Sequence, residues 1–393
     1  MKTKSLCIWS LTSLLVVSIS CNAKNHNNSK IASQSEQVQK IYTSKTDPDT
    51  KNIQVALLLD TSNSMDGLID QAKSQLWEVV NELSYAKCGH YSIKLQIALY
   101  EYGNDGLPSG EGFIRQVLPF SDDLDEISKE LFALTTNGGN EFCGKVINTS
   151  INQLDWKKNN DHLKLIFIAG NEPFTQGPVN YTDATTDAKE KDITVNTIFC
   201  GNYQQGVQTK WKDGADQTNG EYTAIDHNRK TIHIVTPYDD IILQLNRRLN
   251  NTYIYYGNNG SKKMNLQAEQ DRNAISYSPS NAVSRTISKS SGFYKNKSWD
   301  LVDAAEDKDF ELREVAKKEL PAELKNKSDK ELQQYISKKS AERKEIQKKI
   351  QELNKKRMTH IKNNRTTKES SLESALMNAI KTQGKKKSFR WEE

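Results

Sequence analysis

The stretch at residues 53–59, IQVALLL, is a nearly continuous apolar run, too short for a helix of ordinary length and flanked by polar residues on both sides. Such a run is what a parallel strand buried on both faces requires. The period then changes: Ile69, Ala72, Leu76, Val79, Val80 and Leu83 recur at spacings of three and four, lining one side of a helix with apolar side chains. Two strand-like runs follow, SIKLQIALYEYG (92–103) and GFIRQVLPF (112–120), joined by a glycine-rich segment short enough for an antiparallel hairpin. Ser121 opens a helix, SDDLDEISKELFAL, whose early acidic residues suit the helix dipole. Beyond the Gly138-Gly139 turn come a helix carrying Val146, Ile147, Ile151 and Leu154, strands LKLIFIAG and ITVNTIFCG, the segment GEYTAIDH, and a helix starting at Thr236-Pro237. This succession predicts an α/β domain over residues 51–250: a mostly parallel sheet with one antiparallel edge strand and helices on both faces.

Ligands of such sheets gather at the carboxyl ends of the strands. Three polar turns fall there: after Leu59, at Gly138-Gly139, and after Ala169. The first reads D-x-S-x-S, with Asp60, Ser62 and Ser64 at alternate positions that aim one carboxylate and two hydroxyls to one side. Capping of the next helix needs one such residue rather than three in alternation. Oxygen donors of low total charge suit a hard cation, Mg²⁺ or else Mn²⁺ or Ca²⁺.

Asp60, Ser62 and Ser64 resemble the metal-ion-dependent adhesion site of von Willebrand factor type A (VWA) domains, a Rossmann-like family, and the order of elements over residues 51–250 is similar to that family's. The resemblance implies two further loops at the metal. Where the family usually has Thr after a Gly-Gly pair, this chain has Asn140 followed by Glu141, with Thr136 just upstream. Where it usually has Thr-Asp-Gly on the fourth strand, Gly170 stands in place of the Asp, and Asn171 or Glu172 is left to supply an oxygen. The metal set it implies is Asp60, Ser62, Ser64, Asn140, Glu141 and Glu172. Ser62 stands where a phosphotransferase of the haloacid dehalogenase type needs a second Asp, and the chain has no P-loop, G-x-S-x-G or H-E-x-x-H motif. Binding rather than turnover is therefore expected, with no catalytic residue.

The chain begins with Lys2 and Lys4, then an apolar stretch from Leu6 that breaks at Ser18-Ile19-Ser20-Cys21. That pattern is an export signal, residues 1–21, too short and serine-interrupted for a membrane span. Its end resembles the bacterial lipobox, with Ser18 where Leu is usual, which implies acylation of Cys21. Residues 22–52, rich in Asn, Ser, Lys and Gln, read as a flexible tether. The expected location is the cell envelope, membrane-anchored through that lipid, on the periplasmic or the outer side.

Cys88, Cys143 and Cys200 remain after processing, an odd number with no metal-binding spacing. Cys143 and Cys200 both lie near the upper edge of the sheet, so a disulfide between them is one reading and three buried thiols the other. Cys88 falls at the opposite edge and is expected to stay unpaired.

Residues 251–310 read as a connector partly packed on the domain. Residues 311–393 carry about 23 basic and 13 acidic residues, an excess of about +10 against +5 for the whole chain. No aromatic interleaving or nucleic-acid motif goes with that charge, so no nucleic-acid partner is expected. Ser328 and Glu331 form a capping box ahead of a long polar helix. In it Leu332, Ile336, Ile346, Ile350, Leu353 and Ile361 approximate a heptad seam that Lys339 and Arg343 interrupt, as in a weak coiled coil or a charged surface helix. GKKKSFRWEE reads as a frayed end.

Together these features predict a metal-dependent protein-binding module whose ion accepts an acidic side chain from a partner. The competing reading is a structural or assembly protein that acts through its basic helical tail with a vestigial metal site.

Overall fold

The computed structural model describes residues 49–229, 233–364 and 371–391; the expected export signal, Cys21 with its expected acylation, and most of the expected tether lie outside these residues. Asp49–Glu393 is one compact unit. Its sheet has six strands: β1 (Thr50–Asp60), β3 (Ser92–Tyr102), β4 (Ile114–Ser121), β5 (Leu163–Gly170), β6 (Thr194–Cys200) and β7 (Tyr222–Ile225), in the order β4-β3-β1-β5-β6-β7. All neighbours are parallel except the β3–β4 hairpin at one edge. This is the predicted architecture, and it places the D-x-S-x-S turn at the centre of the sheet's carboxyl edge, since β1 lies between β3 and β5.

Strand parity assigns the two faces. Ile53, Val55 and Leu59 of β1 face α1 (Asp66–Leu83) and α2 (Leu124–Ala133), whereas Ala56 and Leu58 face α3 (Cys143–Gln153), α4 (Tyr181–Glu190) and, beyond the short α5 (Tyr203–Gln208), α6 (Trp211–Asp216). Trp211, wholly buried, fills the second face against Phe174 and Phe199.

The C-terminal third differs from the connector-and-tail expectation. Beyond α7 (Asp239–Asn250), the helix expected from Thr236-Pro237 within the domain, helices α8 (Gly260–Tyr277) and α9 (Pro279–Lys289) also belong to the body. Val283 and Ile287 of α9 join the same apolar cluster as α1, and Asn281 donates to the carbonyls of Lys73 and Ser74. Between α8 and α9 lies a buried ionic network. Arg285 pairs with Asp125 at 2.8 Å and Asp271 at 2.6 Å, while the Lys289 ammonium donates to Asp271, Asn246 and Asn250.

After α10 (Leu301–Ala304), the Ser328–Glu331 capping box opens the long helix α11 (Asp329–Asn364), with the Ser328 N–H donating to Glu331 Oε2 at 2.8 Å. The seam positions Leu332, Ile336, Ile346 and Ile350 are buried, as their spacing requires. They pack on this chain's own core rather than in a coiled coil. Arg343 does not break the seam but anchors it: its guanidinium is buried and donates to Asp300 at 2.6 Å, Asp303 at 2.8 Å and the Thr252 carbonyl at 2.8 Å.

The last helix, α12 (Leu372–Lys386), lies on the first sheet face beside α1, with Leu372, Leu376 and Ile380 against Leu57, Phe167 and Ile198. Nor is the described end of the chain frayed. Phe389 is wholly buried, and β8 (Arg390–Trp391) pairs antiparallel with β2 (Ala86–Lys87). Among the described residues no helix is long and apolar enough to cross a membrane.

Candidate metal centre

Asp60 ends β1, and its Oδ1 accepts the Ser62 N–H at 2.8 Å. This carboxylate-closed turn swings the chain so that the Ser62 and Ser64 hydroxyl oxygens lie 3.2 Å apart. Thr61 points the other way: its N–H donates to the Tyr102 carbonyl at 2.8 Å, tying the turn to β3. The alternation in D-x-S-x-S thus becomes convergence on one side of the chain.

Glu141 arrives from the loop after α2. Its carboxyl lies against Asp60, the Ser62 hydroxyl and the Glu172 backbone N–H, and its own N–H donates to Gln176 Oε1 at 2.7 Å. Both carboxyls pack over Gly103, which has φ +80°; a Cβ there would stand 2.7 Å from Glu141 Cγ and 2.8 Å from Asp60 Oδ1. Only glycine leaves that space. Burial, and then the Glu141 carboxyl beside it, push Asp60 well above the usual carboxylate range; burial raises Glu141 as well.

The third loop contributes through Asn171, whose Nδ2 donates to Ser64 Oγ at 3.1 Å. The Glu172 side chain is exposed and reaches the cluster only through its charge, which helps raise Glu141, while its backbone N–H bonds the Glu141 carboxyl; Asn140 is exposed on the surface. The Thr136 hydroxyl is bonded to the Asp66 carboxylate instead. Of the six residues expected at the metal, the structure brings Asp60, Ser62, Ser64 and Glu141 together and leaves the side chains of Asn140 and Glu172 outside.

Two contributors were missed in the sequence. Tyr102 donates its hydroxyl to the Ala169 carbonyl at 3.0 Å and fills the space beside residue 170. His227 holds its Nε2 3.1 Å from the Ser64 carbonyl, with Nδ1 buried and unpartnered, on a loop whose carbonyls accept from Gln71. No local pattern marks either residue.

The position of Gly170 explains the absent aspartate. A Cβ there would lie 2.5 Å from the Tyr102 hydroxyl oxygen and 3.0 Å from Asp60 Oδ2. Gly170→Asp is accordingly expected to lower stability by about 1–3 kcal/mol through overpacking. Thermal denaturation checks this, and an unchanged midpoint would show that Tyr102 yields freely.

Cys143 and Cys200 are free buried thiols, so the disulfide reading fails. Cys143 lies on the α3 face near the Tyr102 hydroxyl, whereas Cys200 lies on the α1 face, with the sheet between them. Cys88 is buried and free, as expected.

Whether the residues fit a cation follows from what is unpaired. No hydrogen-bond donor reaches Asp60 Oδ2, Glu141 Oε2 or Asn171 Oδ1, although all three are buried. Unpaired buried oxygens of this kind are costly. They form an all-oxygen set with the two serine hydroxyls, which fits a hard divalent ion. Among the described residues no group of three or more His, Cys, Asp or Glu forms a metal cluster, so the site rests on two carboxyls with hydroxyl and amide oxygens.

No curated protein matches the chain in sequence. Solved structures similar to it include the conserved hypothetical protein BatB from Bacteroides thetaiotaomicron, at 16% identity and TM-score 0.34, covering 44% of this chain and 90% of that one. The SpRpn10 VWA domain is similar at 14% identity and TM-score 0.34, covering 44% and 87%. The pilus adhesin SpaC from Lactobacillus rhamnosus GG, in its open conformation, is similar at 11% identity and TM-score 0.35, covering 45% and 28%. The von Willebrand factor type A domain family matches residues 54–233, the span that holds the six-stranded sheet from the middle of β1 onward and every residue of the cluster, and this part of the chain is a type A domain.

Proposed function

We propose that the chain is an exported, membrane-anchored envelope protein whose type A domain binds a protein partner through a divalent cation. Type A domains serve in general as protein-interaction modules. The observation that carries the metal reading is the convergence of Asp60, Ser62, Ser64 and Glu141 around buried oxygens that no donor reaches. These four residues would hold Mg²⁺ or Mn²⁺, with Asn171 beside Ser64. The ion would supply an electrophilic point for an acidic side chain of the partner. The chain itself positions the donors: the Asp60 turn aims the serines, Gln176 fixes the Glu141 backbone, and Gly103 leaves both carboxyls room. Glu141 takes the role of second carboxylate, which Tyr102 prevents residue 170 from filling.

Titration calorimetry with Mg²⁺ and Mn²⁺ tests the reading. Wild type should take up the ion and Asp60→Ala should not. Glu141→Gln should lose at least the roughly tenfold that removing even an outer partner of a metal ligand costs. Wild type that takes up neither ion, or an Asp60→Ala variant that binds as well as wild type, would end the metal reading.

A further inference from the structure

The sheet's carboxyl edge carries two acids that the metal centre does not use. Asp105, in the loop after β3, and Glu172, in the loop after β5, stand on opposite sides of the Asp60 turn, because β1 lies between those strands. Both are exposed, and among the described residues neither carboxylate is taken by a hydrogen bond or an ion pair. The backbone ties both to one rim. The Glu172 N–H bonds the Glu141 carboxyl. On the other side the Asp105 N–H donates to the Gly138 carbonyl and the Asn137 N–H to the Thr61 carbonyl at 2.9 Å. A Cβ on Gly138 would lie 3.4 Å from Asn63 Nδ2 and 3.5 Å from Asp105 Oδ2, so this carboxylate leans toward the residue between the two serines. Within the rim, Asp60 Oδ2 and Glu141 Oε2 are the buried oxygens that no donor reaches.

The loops that frame the centre, residues 61–65, 103–113, 134–142 and 171–180, hold no Lys or Arg. Lys73 and Lys145 belong to the flanking helices, and Lys73 donates to the Leu134 carbonyl near Asp66, the rim acid that Thr136 already bonds. Arg229 follows the exposed Asp226 and lies toward α1, where Gln71 holds its carbonyl. A divalent ion held by the Asp60 and Glu141 carboxylates carries no net charge, so the two free acids give its mouth a negative sign. They repel a bare carboxylate even as the ion attracts it, and charges of this kind at a rim decide which partner is admitted. The repulsion is relieved when the carboxylate arrives between cations. We propose that the centre selects a protein segment in which one acidic residue is flanked by Lys or Arg, the acid meeting the ion and the flanking cations meeting Asp105 and Glu172. Such selection presupposes the ion proposed above, and it leaves Glu172, expected from the sequence as a ligand, to act from beside the metal.

Fluorescence anisotropy with the full chain and Mg²⁺ tests it. The probes are short peptides blocked at both ends that share a central aspartate and carry lysines, serines or glutamates on both sides of it. Affinity should fall in the order lysine, serine, glutamate, and the differences should shrink as salt rises. An exposed ion pair is worth up to about fivefold, so two of them should favour the lysine peptide over the serine peptide by about two- to twentyfold. In Asp105→Lys with Glu172→Lys the order should reverse, while calorimetric uptake of Mg²⁺ persists because neither carboxylate holds the ion. Wild type that takes up no ion would end the metal reading itself. Intact uptake without binding of the lysine peptide, without preference among the peptides, or with an order that the two reversals leave unchanged would overturn the selection alone. Binding of the lysine peptide that survives EDTA, or survives replacement of its aspartate by asparagine, would make the rim a plain trap for cations and overturn the selection as well.

Discussion

A chain ended at Asn364 is expected not to fold. Residues beyond it place Leu372, Leu376, Met377, Ile380 and Phe389 in the core of the first sheet face. At about 1.5–3 kcal/mol for each fully buried apolar side chain, these five contribute about 7–15 kcal/mol, as much as the whole net stability of an ordinary domain. The loss would strip α12 from Leu57, Phe167 and Ile198, where packing already leaves an apolar cavity of about 40 Å³. It would also remove the bonds from the Leu372 and Glu373 N–H groups to Gln71 and Gln75 on α1, and the Lys387–Asp192 pair. Circular dichroism and binding of an apolar dye check this: the shortened chain should melt without a cooperative transition and take up dye. A cooperative transition near the wild-type midpoint would show that the type A domain stands without α12. The family match ends at residue 233, but the sheet it describes is closed by residues nearly 140 positions later.

What could be seen in the sequence depended on how local its cause was. IQVALLL and LKLIFIAG declared themselves because a strand buried on both faces must be apolar throughout, and D-x-S-x-S did so because one turn aims all three donors. The second carboxylate was only half legible. Glu141 could be named as a loop acid, but its promotion depends on Tyr102 filling the space beside Gly170, a contact between β3 and β5 that neither segment announces. The cysteine pair failed on parity: Cys143 and Cys200 share an edge in chain order but not a sheet face. In α11 the apolar spacing correctly marked the buried stripe, yet Arg343 looked like a fault because Asp300 and Asp303, about forty residues earlier, gave no sign that they were its partners. Helix existence is written in spacing, whereas its mate is written in distant charges.

Those distant charges carry the second large effect, expected for Asp271→Asn. Asp271 accepts from Arg285 and from Lys289, and both cations are wholly buried. Burial alone would raise the Asp271 carboxyl, but Lys289 and Arg285 against it win and hold it well below the usual carboxylate range. Burial pulls Lys289 down to about 8, so its ammonium is still charged at neutral pH. The substitution therefore leaves Lys289 with only amide partners and Arg285 with Asp125 as its one carboxylate beside the Gln267 carbonyl, a change that typically costs about 3–5 kcal/mol. Since the folded carboxyl titrates below its unfolded value of about 4, its contribution is complete above that pH and is lost as pH falls through the lower folded value. The gap in denaturant stability between wild type and Asp271→Asn should thus be full at pH 6 and shrink as the solution is taken below about pH 4. Removing the charges together, as Asp271→Leu with Lys289→Leu, should cost less than Asp271→Asn, because no ammonium is then stranded in the interior. A single variant within about 1 kcal/mol of wild type at pH 6, or a gap that ignores acid, would mean that the network is an ornament on helices already held by their apolar faces.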